Sequence, residues 1–337
     1  MKIAVLMSGG VDSSVAAILL REQGYEVWGI TMINWNVDIG HTARAVADYI
    51  GIEHKIIDMK KEFDDRVINY FCSTYEKGHT PNPCVACNKA IKFGALLDYA
   101  LNNGADMIAT GHYIRREFKA GKNRYLLKKA LDTSKDQSYF LYGLTQKQLA
   151  HSIFPLGDLK KTEVRELAEK NNLPVAKSKD SQEICFIEKD YRDFILERVD
   201  YQPGQVIDTA GNVLGKHKGL PFYTIGQRRG LGISAGKPVY VIDLDMETNQ
   251  LVLGGPEELM RGSLFTRENN FIHIPELEEA MEVEVKIRYK ANPAQARIYP
   301  QGDLVKVEFT EPQRAITRGQ SAVFYLGDYL LGGGIIV

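Results

Sequence analysis

The sequence is poor in cysteine and tryptophan and has almost no net charge. Its 337 residues include 4 Cys and 2 Trp, and 42 Lys and Arg are balanced by 43 Asp and Glu. Without a chain-wide basic excess, any nucleic-acid-binding surface must come from a local arrangement of residues. The remaining composition, 44% hydrophobic and 25% charged, predicts a stable globular core with little disorder.

Long hydrophobic runs are also missing. No run approaches the roughly 18 apolar residues that a membrane span requires. The first residues, MKIAVLMSGG, lack the extended apolar stretch and cleavage site of a signal peptide. We therefore expect a cytoplasmic protein with no membrane partner. Its cysteines would be mostly reduced and would serve chemistry, metal binding or the core.

The pattern of hydrophobic residues changes near residue 200, and a chain of this length suggests two or three domains. Before that point we expect strands over 2–6, 26–32, 54–59 and 105–110, alternating with helices over 12–23, 42–50, 62–76 and 89–100. This alternation predicts a parallel, doubly wound α/β sheet with its ligand at the carboxyl ends of the strands. Later, short alternating runs predict antiparallel β structure, a small β domain followed by a barrel, at 239–244, 251–253, 281–289 and 304–309.

The stretch SGGVDSS at residues 8–14 joins the first predicted strand to the first predicted helix. Gly9 and Gly10 let the backbone pass close to a phosphate, serine hydroxyls can donate to it, and a helix N-terminus favours anions. The GK[ST] ending of a P-loop and the GxGxxG dinucleotide pattern are both absent. A simpler alternative is a tight turn capped by Asp12 or Ser13.

This stretch resembles the pyrophosphate-binding loop of the ATP pyrophosphatase superfamily, whose members adenylylate a carbonyl oxygen. The resemblance implies that ATP is cleaved between its α and β phosphates, normally with Mg²⁺. It does not identify the substrate, because amide-forming ligases share the motif.

Three cysteines stand in sequence contexts that suggest chemistry. Cys84 and Cys87 occupy a Pro- and Asn-rich loop before the predicted helix 89–100, and Cys185 follows about a hundred residues later. Near that helix N-terminus and beside two lysines, Lys89 and Lys92, the pKa of Cys87 should be lowered. Two distant thiols with an ATP site suit a sulfur transfer in which one cysteine carries a persulfide and the other releases the sulfur by forming a disulfide.

Two metal-binding alternatives remain open for these thiols. Cys84 and Cys87 could form half of a zinc site, although no histidine has zinc-finger spacing. Cys84, Cys87 and Cys185 could instead hold a [4Fe–4S] cluster and leave one iron open to bind sulfide. Cys72 differs, because it shares a helical face with Ile68 and Tyr75 and is predicted to be an inert core thiol.

Longer stretches in chain order resemble one enzyme family, the tRNA-specific 2-thiouridylases or MnmA family. They are SGGVDSS, TPNPCVACNKAIKFG, ATGHY, KDQSYFLY, FPLG, KDSQEICFI, FYTIGQRRGLGI and GQSAVFYLGDYLLGGGII. The resemblance covers effectively the whole chain and implies conversion of the wobble uridine of tRNAs for lysine, glutamate and glutamine to 2-thiouridine. It also implies a sulfur donor, such as a cysteine desulfurase or a relay protein. The implied domains are an ATP pyrophosphatase-like catalytic domain (1–198), a central β domain contacting tRNA (199–258) and a C-terminal β-barrel (259–337).

The resemblance assigns roles to residues of this chain. Cys87 matches the family nucleophile, and Cys185 matches the residue that bears the persulfide. The residues expected around ATP are Leu6, Met7, Ser8, Gly9, Gly10, Val11, Asp12, Ser13, Met32 and Gly111. Those expected beside the target base or along the tRNA are Asn82, Pro83, Cys84, His112, Lys135, Asp136, Gln137, Arg288, Tyr289 and Gln320.

The chain departs from the family pattern at two places. Cys84 stands where some members have Asp, which weakens an acid–base role there and favours the cluster, and the segment 35–43 is shorter than its family counterpart. Without the resemblance, residues 135–137 could be a loop capping a helix near Ser138, and His112 could be a hydrogen-bonded structural histidine. The basic spot at residues 227–229 could likewise be solvated surface, whereas the resemblance suggests that it contacts a phosphate. A non-catalytic tRNA-binding sulfur-relay module and an amide-forming ligase remain the rival functions.

Overall fold

The computed structural model describes residues 1–35, 38–178, 184–187, 190–233, 236 and 238–337. Residues 179–183, in the KDSQEICFI stretch, and residues 36–37 of the shortened segment 35–43 lie outside the described residues. The strands are β1 (Lys2–Leu6), β2 (Glu26–Ile33), β3 (His54–Asp58), β4 (Met107–Ala109), β5 (Arg115–Lys119), β6 (Arg124–Lys128), β7 (Ser152–Ile153), β8 (Gly204–Asp208), β9 (Val213–His217), β10 (Tyr240–Asp245), β11 (Gln250–Gly254), β12 (Met260–Phe271), β13 (Met281–Lys286), β14 (Ala294–Gln301), β15 (Leu304–Arg314), β16 (Ser321–Leu326) and β17 (Tyr329–Ile336).

The helices belong almost entirely to the first part of the chain. Two π-helical stretches, Asp64–Ile68 and Asn88–Ala95, interrupt otherwise continuous helices. The α-helices are α1 (Val11–Glu22), α2 (Asp38–Ile50), α3 (Lys60–Phe63), α4 (Asn69–Glu76), α5 (Pro83–Cys87), α6 (Leu96–Asn102), α7 (Gln146–Ala150), α8 (Lys161–Lys170) and α9 (Tyr191–Ile195). Each is too short or too polar to cross a lipid bilayer, as far as the described residues go.

The predicted doubly wound sheet is confirmed. Five described strands form a parallel sheet in the order β3-β2-β1-β4-β7. The central strands are apolar because hydrophobic clusters cover both faces; Ile3 and Val5 point into one cluster and Ala4 into the other. The strand order reverses between β1 and β4. The carboxyl ends of β1 and β4 therefore border the crevice where such sheets bind ligands.

The helix predicted over 89–100 begins earlier than expected. It starts with Pro83 at its first turn and runs through α5, the π-helical stretch and α6 to Asn102. Pro fits this position because it has no amide hydrogen to donate and its φ is already helical. Cys87 thus lies in the second turn of a longer helix and not near a helix N-terminus.

The two β regions after residue 200 have different strand patterns. Strands β10-β11-β8-β9 form a small sheet. The two predicted strands, β10 and β11, pair antiparallel as expected, whereas the β8–β11 pair, which was not predicted, is parallel. Strands β12-β15-β14-β13-β16-β17 form an antiparallel sheet that closes through the β12–β17 pair into a barrel. As the alternation predicts, Val283, Val285 and Ile287 are buried in it while Arg288 is exposed.

A hairpin from the first part of the chain joins the barrel. Strands β5 and β6 are antiparallel, and β6 pairs with β17 through Lys128 and Tyr329. The Arg124 guanidinium also donates to the carbonyls of Phe271 and Ile272, each at 3.1 Å. A segment of the first part of the chain is therefore joined to the barrel by strand pairing and by side-chain hydrogen bonds.

Candidate active site

The stretch at residues 8–14, called the phosphate loop below, joins β1 to α1 and includes the first turn of α1. Gly10 is the N-cap of that helix and makes no side-chain cap hydrogen bond to the first-turn amides. The hydroxyls of Ser13 and Ser14 donate to the Gly10 carbonyl at 3.2 and 2.8 Å. Ser13 Oγ also accepts from the Ser8 backbone nitrogen at 3.2 Å, so Ser13 closes the turn as the simpler alternative proposes, on its strand side. The free amides of the first turn remain available to an anion.

Two glycines bring the backbone close to this loop. Gly9 has φ +72°, and a Cβ there would lie 3.1 Å from Thr42 Cβ. Gly111, just after β4, packs so closely that a Cβ would lie 2.8 Å from the backbone nitrogen of Ser13. The loop thus packs closely against α2 at Gly9, and the chain after β4 packs closely against the first turn of α1 at Gly111.

Asp12 is held by two residues that sequence reasoning missed. Its Oδ1 accepts hydrogen bonds from Lys161 Nζ at 2.7 Å and from the Tyr113 hydroxyl at 2.8 Å. Lys161, in the first turn of α8, is only 8% exposed. A buried cation is thereby placed beside the phosphate loop, where it complements negative charge.

The cysteine loop continues from the buried Asn82 and Pro83 into α5. The Cys84 thiol reaches the surface and Cys87 is buried, so the two thiols differ in access. The backbone nitrogen of Asn82 donates to the Tyr70 hydroxyl at 3.4 Å. This hydrogen bond anchors the loop to α4. Of this pair, Cys84 is the thiol first met by an incoming molecule.

Cys185 lies in the same region. Asn34, which follows β2 and is 5% exposed, donates from its side-chain amide to Cys185 Sγ at 3.5 Å. The next residue, Phe186, is buried against Phe71 and Phe194, with ring centroids 5.1 Å away in each case. This aromatic cluster fixes the segment that carries Cys185 beside the carboxyl edge of the sheet.

Burial, and not a helix terminus, controls the acidity of these thiols. Burial raises the pKa of Cys87 to about 12, although the nearby Lys92 lowers it, and a charge on Cys185 raises it further. The pKa values of Cys84 and Cys185 are likewise raised by burial and lowered by Lys92. The expectation that the pKa of Cys87 is lowered is therefore wrong. Burial thus opposes ionisation of all three thiols, and Lys92 is the neighbouring cation that they share.

Lys92 also faces His112. Burial, with the Lys92 charge, holds the pKa of His112 well below its usual value. The imidazole Nδ1 lies 2.8 Å from Thr110 Oγ1. His112 is thus a neutral imidazole at the end of β4, between the phosphate loop and the thiols.

The loop 135–137 lies close to Tyr289. The Asp136 carboxylate accepts hydrogen bonds from the backbone nitrogen of Ala130 and from the backbone nitrogen and hydroxyl of Ser138. Gln137 Oε1 accepts from the Tyr113 backbone nitrogen at 2.9 Å. Burial raises the pKa of Tyr289, the Asp136 charge raises it further and Lys135 lowers it. The loop therefore caps its own helical turn, as the simpler alternative proposes, and also faces the barrel residues expected to contact tRNA.

Two further regions expected to contact tRNA, Gln320 and the basic spot at residues 227–229, lie in different parts of the molecule. Gln320 donates to the backbone just before Asn82. Arg228 and Arg229 are exposed on a loop whose Gln227 accepts from the Thr224 nitrogen at 3.2 Å. The basic spot is thus an exposed surface feature of the central β region.

Metal binding is not supported by the geometry of the thiols. In the part of the chain that the structure describes, no three His, Cys, Asp or Glu side chains are arranged to hold a metal ion. The three thiols share a region without forming a ligand set for a cluster or for zinc.

The phosphate loop at the switch point of a parallel sheet, with thiols beside it, defines a nucleotide-dependent enzyme with cysteine chemistry. Three family models match in order, described as the tRNA methyl transferase HUP domain (1–189), the tRNA methyl transferase PRC-barrel domain (192–255) and the aminomethyltransferase beta-barrel domain (261–336). The HUP domain supports ATP binding.

Similar proteins extend over the whole chain. A tRNA-specific 2-thiouridylase MnmA from Syntrophomonas wolfei is 51% identical over 337 residues and covers 100% of both chains. Another, from Moorella thermoacetica, is 51% identical and covers 98% of both. The chain therefore belongs to the tRNA-specific 2-thiouridylase family. A predicted tRNA methyltransferase subunit from Methanocaldococcus jannaschii is 24% identical, with a TM-score of 0.34 over 50% of this chain and 76% of that one, too low to bear on function.

Proposed function

We propose that this protein is a tRNA uridine 2-sulfurtransferase that uses ATP to activate the wobble uridine. The observation that carries the proposal is that Cys84, Cys87 and Cys185 lie around Lys92 at the carboxyl edge of the sheet, the edge from which the phosphate loop also extends, in a chain of this family. The tRNAs for lysine, glutamate and glutamine are the proposed substrates. A cysteine desulfurase or a relay protein is the proposed sulfur donor.

In the first step the ATP phosphates lie over Gly9 and Gly10, against the free amides of α1. Lys161, held by Asp12, compensates the charge of the phosphates, and Mg²⁺ bound to ATP would neutralise more of it. A flipped-out uracil enters beside Asn82 and Cys84, and its O2 attacks the α-phosphate. Pyrophosphate leaves and the base becomes adenylylated. This converts a poor oxygen leaving group into a good one.

In the second step the terminal sulfur of a Cys185 persulfide attacks C2, and AMP leaves. Cys87 then attacks the Cys185 sulfur, forms a disulfide and releases the 2-thiouridine. The electrons balance, because the disulfide holds the oxidation level of the original persulfide and an external thiol reductant must restore both thiols. Lys92 is the cation that favours the thiolate of Cys87 during this step.

The proposed tRNA surface runs from the cysteine loop to the barrel. Lys135, Arg288 and Tyr289 form one part of it, and the exposed Arg228 and Arg229 form another. His112, neutral and inside the crevice, is placed to contact the base and not a phosphate. The surface therefore combines local positive charge with a recess for one extruded nucleotide.

The proposal is tested with purified protein, ATP, unmodified tRNA and a persulfide donor. Thiolated tRNA is detected as a retarded band on a mercury-containing gel, and pyrophosphate release is measured in parallel. Cys87→Ser and Cys185→Ser should abolish thiolation and leave thermal melting unchanged. Cys72→Ser is the matched control and should retain activity, because Cys72 is a core thiol whose pKa is raised by burial and affected by the charges of Arg198, Glu76 and Asp64 and not by the other cysteines.

Other outcomes would contradict the proposal in recognisable ways. Wild-type turnover by either active-site variant refutes the thiol relay. Tight tRNA binding without tRNA-dependent pyrophosphate release would indicate a non-catalytic relay module, and ammonia-dependent AMP formation without tRNA would indicate a ligase. Full activity of anaerobically reconstituted protein with sulfide and about four irons would favour the [4Fe–4S] alternative.

A further inference from the structure

The segment that leads into the cysteine helix is held from all three parts of the molecule. The Thr80 nitrogen donates to the Arg318 carbonyl of the barrel at 2.8 Å. The Thr80 hydroxyl lies 3.5 Å from Thr224 Oγ1, next to the central sheet, and the Asn82 nitrogen contacts Tyr70 of α4. Residues 80–82 are therefore a junction directly before Pro83 and the two thiols of α5.

Gln320 makes two hydrogen bonds from the barrel to residues 80–82. Its Nε2 donates to the carbonyl of Thr80 at 3.2 Å and to that of Pro81 at 3.0 Å. A carboxamide nitrogen has two hydrogens, and both are used here. The Gln320 backbone is fixed in turn, because its carbonyl accepts from the Ile336 nitrogen at 2.8 Å.

The preceding glycine makes this close contact sterically feasible. Gly319 has φ +87°, a backbone conformation that favours glycine. A Cβ on Gly319 would lie 2.8 Å from the Thr80 carbonyl oxygen and 2.9 Å from His79 Cβ. The turn is thus shaped to touch the cysteine loop and not only to connect β15 and β16.

We propose that Gln320 is a positioning residue, through which the barrel sets the placement of Cys84 and Cys87. The inference deepens the proposed function and rests on it. Because both amide hydrogens are engaged with the protein, the Gln320 nitrogen acts on the cysteine loop in the free protein. Loss of these bonds frees residues 80–82 and misplaces the thiols against the reacting base, which lowers turnover more than tRNA affinity.

The test compares Gln320→Met, which keeps the side-chain length and removes the donor, with wild type in the full-length protein. Gln313→Met is the matched control, because Gln313 Nε2 donates to the Glu311 carbonyl at 2.8 Å within the same barrel and away from the cysteines. Two quantities are measured: alkylation of Cys84 and Cys87 by iodoacetamide without tRNA, mapped by mass spectrometry, and kcat and KM for tRNA. Thermal melting establishes that each variant is folded.

We expect Gln320→Met to raise the alkylation rate of the buried Cys87 severalfold and to lower kcat about 10- to 100-fold. KM for tRNA should stay within about twofold of wild type, and Gln313→Met should behave as wild type. Gln320→Glu, which also lacks the donor, should show the same alkylation and kcat changes. It serves as the second variant should Gln320→Met fail to fold.

An increased KM with unchanged kcat and unchanged alkylation would overturn the proposal and make Gln320 a tRNA contact. Unchanged behaviour of both variants would overturn it as well. The alkylation measurement needs no turnover. An inactive wild-type enzyme would therefore refute the proposed function while the positioning role could still be tested in the free protein.

Discussion

Lys161 illustrates how a single residue can matter at a site far away in sequence. It lies 149 positions after Asp12, yet its Nζ is 2.7 Å from the Asp12 carboxylate. It follows another lysine at the start of an amphipathic helix, where charged residues are usually solvated. Only the fold shows that Lys161 is buried beside the phosphate loop. Asn34, whose side chain meets Cys185, could not be recognised from sequence for the same reason.

Replacing Lys161 by Met should therefore weaken ATP use. A hydrogen bond involving a charge contributes about 1.5–3 kcal/mol, so we expect kcat/KM for ATP to fall about 10- to 100-fold. Asp12 keeps the Tyr113 hydroxyl and partial solvent contact, which limits the effect on folding. Steady-state pyrophosphate release against ATP concentration measures the change.

Lys170→Met is the control for Lys161→Met. Lys170 is exposed in the last turn of the same helix. Equal losses in the two variants, or none in Lys161→Met, would exclude Lys161 from the ATP site.

At the scale of elements, the helix that carries the cysteines was the least predictable. Four of the five described strands of the parallel sheet were found from their apolar runs within a few residues, and the two-residue strand β7 was not predicted. The start of the cysteine helix was misplaced by six residues, at 89 and not 83, although Pro83 is a good first helical residue. The π-helical stretch Asn88–Ala95 has no simple sequence signal. It places Lys92 five residues after Cys87 on nearly the same face.

The pKa of Cys87 leads to a pH prediction for this helix. With a pKa of about 12, the thiolate fraction at pH 7 is ~10⁻⁵ and rises about tenfold per pH unit. Alkylation of Cys87 in the free enzyme should therefore be slow at pH 7 and accelerate up to pH 10. Because the Lys92 cation lowers this pKa, Lys92→Met raises it, and alkylation should be slower at every pH.

Lys89→Met provides the matched comparison on the same helix. Lys89 is exposed, and its side chain lies near Gly143. We expect its alkylation profile to follow wild type, as read by peptide mapping at several pH values. A Cys87 profile that levels off below pH 9 would contradict the raised pKa.

At the scale of the whole molecule, the barrel was predicted from alternating side chains, but its attachment was not. The β5–β6 hairpin extends the barrel sheet, and the 317–321 turn touches the cysteine loop. Both contacts join residues more than 190 positions apart, so no local pattern encodes them. In the proposed function, this attachment would let surfaces on all three regions act on one extruded base.

A protein with net charge −1 must bind tRNA through local patches, and salt should reveal how many phosphates it contacts. The slope of log K against log[salt] for tRNA should be steep. The double variant Arg228→Gln/Arg229→Gln should make it shallower by about 1.4–1.8, because two phosphate contacts are lost. Arg297→Gln, on a barrel strand with its guanidinium 3.7 Å from Glu282, should leave the slope unchanged. Filter binding at 50–200 mM salt, the range over which phosphate contacts weaken strongly, measures it. Equal slopes for wild type and the double variant would show that this loop does not contact tRNA phosphates. A shallower slope with unaltered alkylation of the thiols would show that this loop binds tRNA without positioning the cysteines.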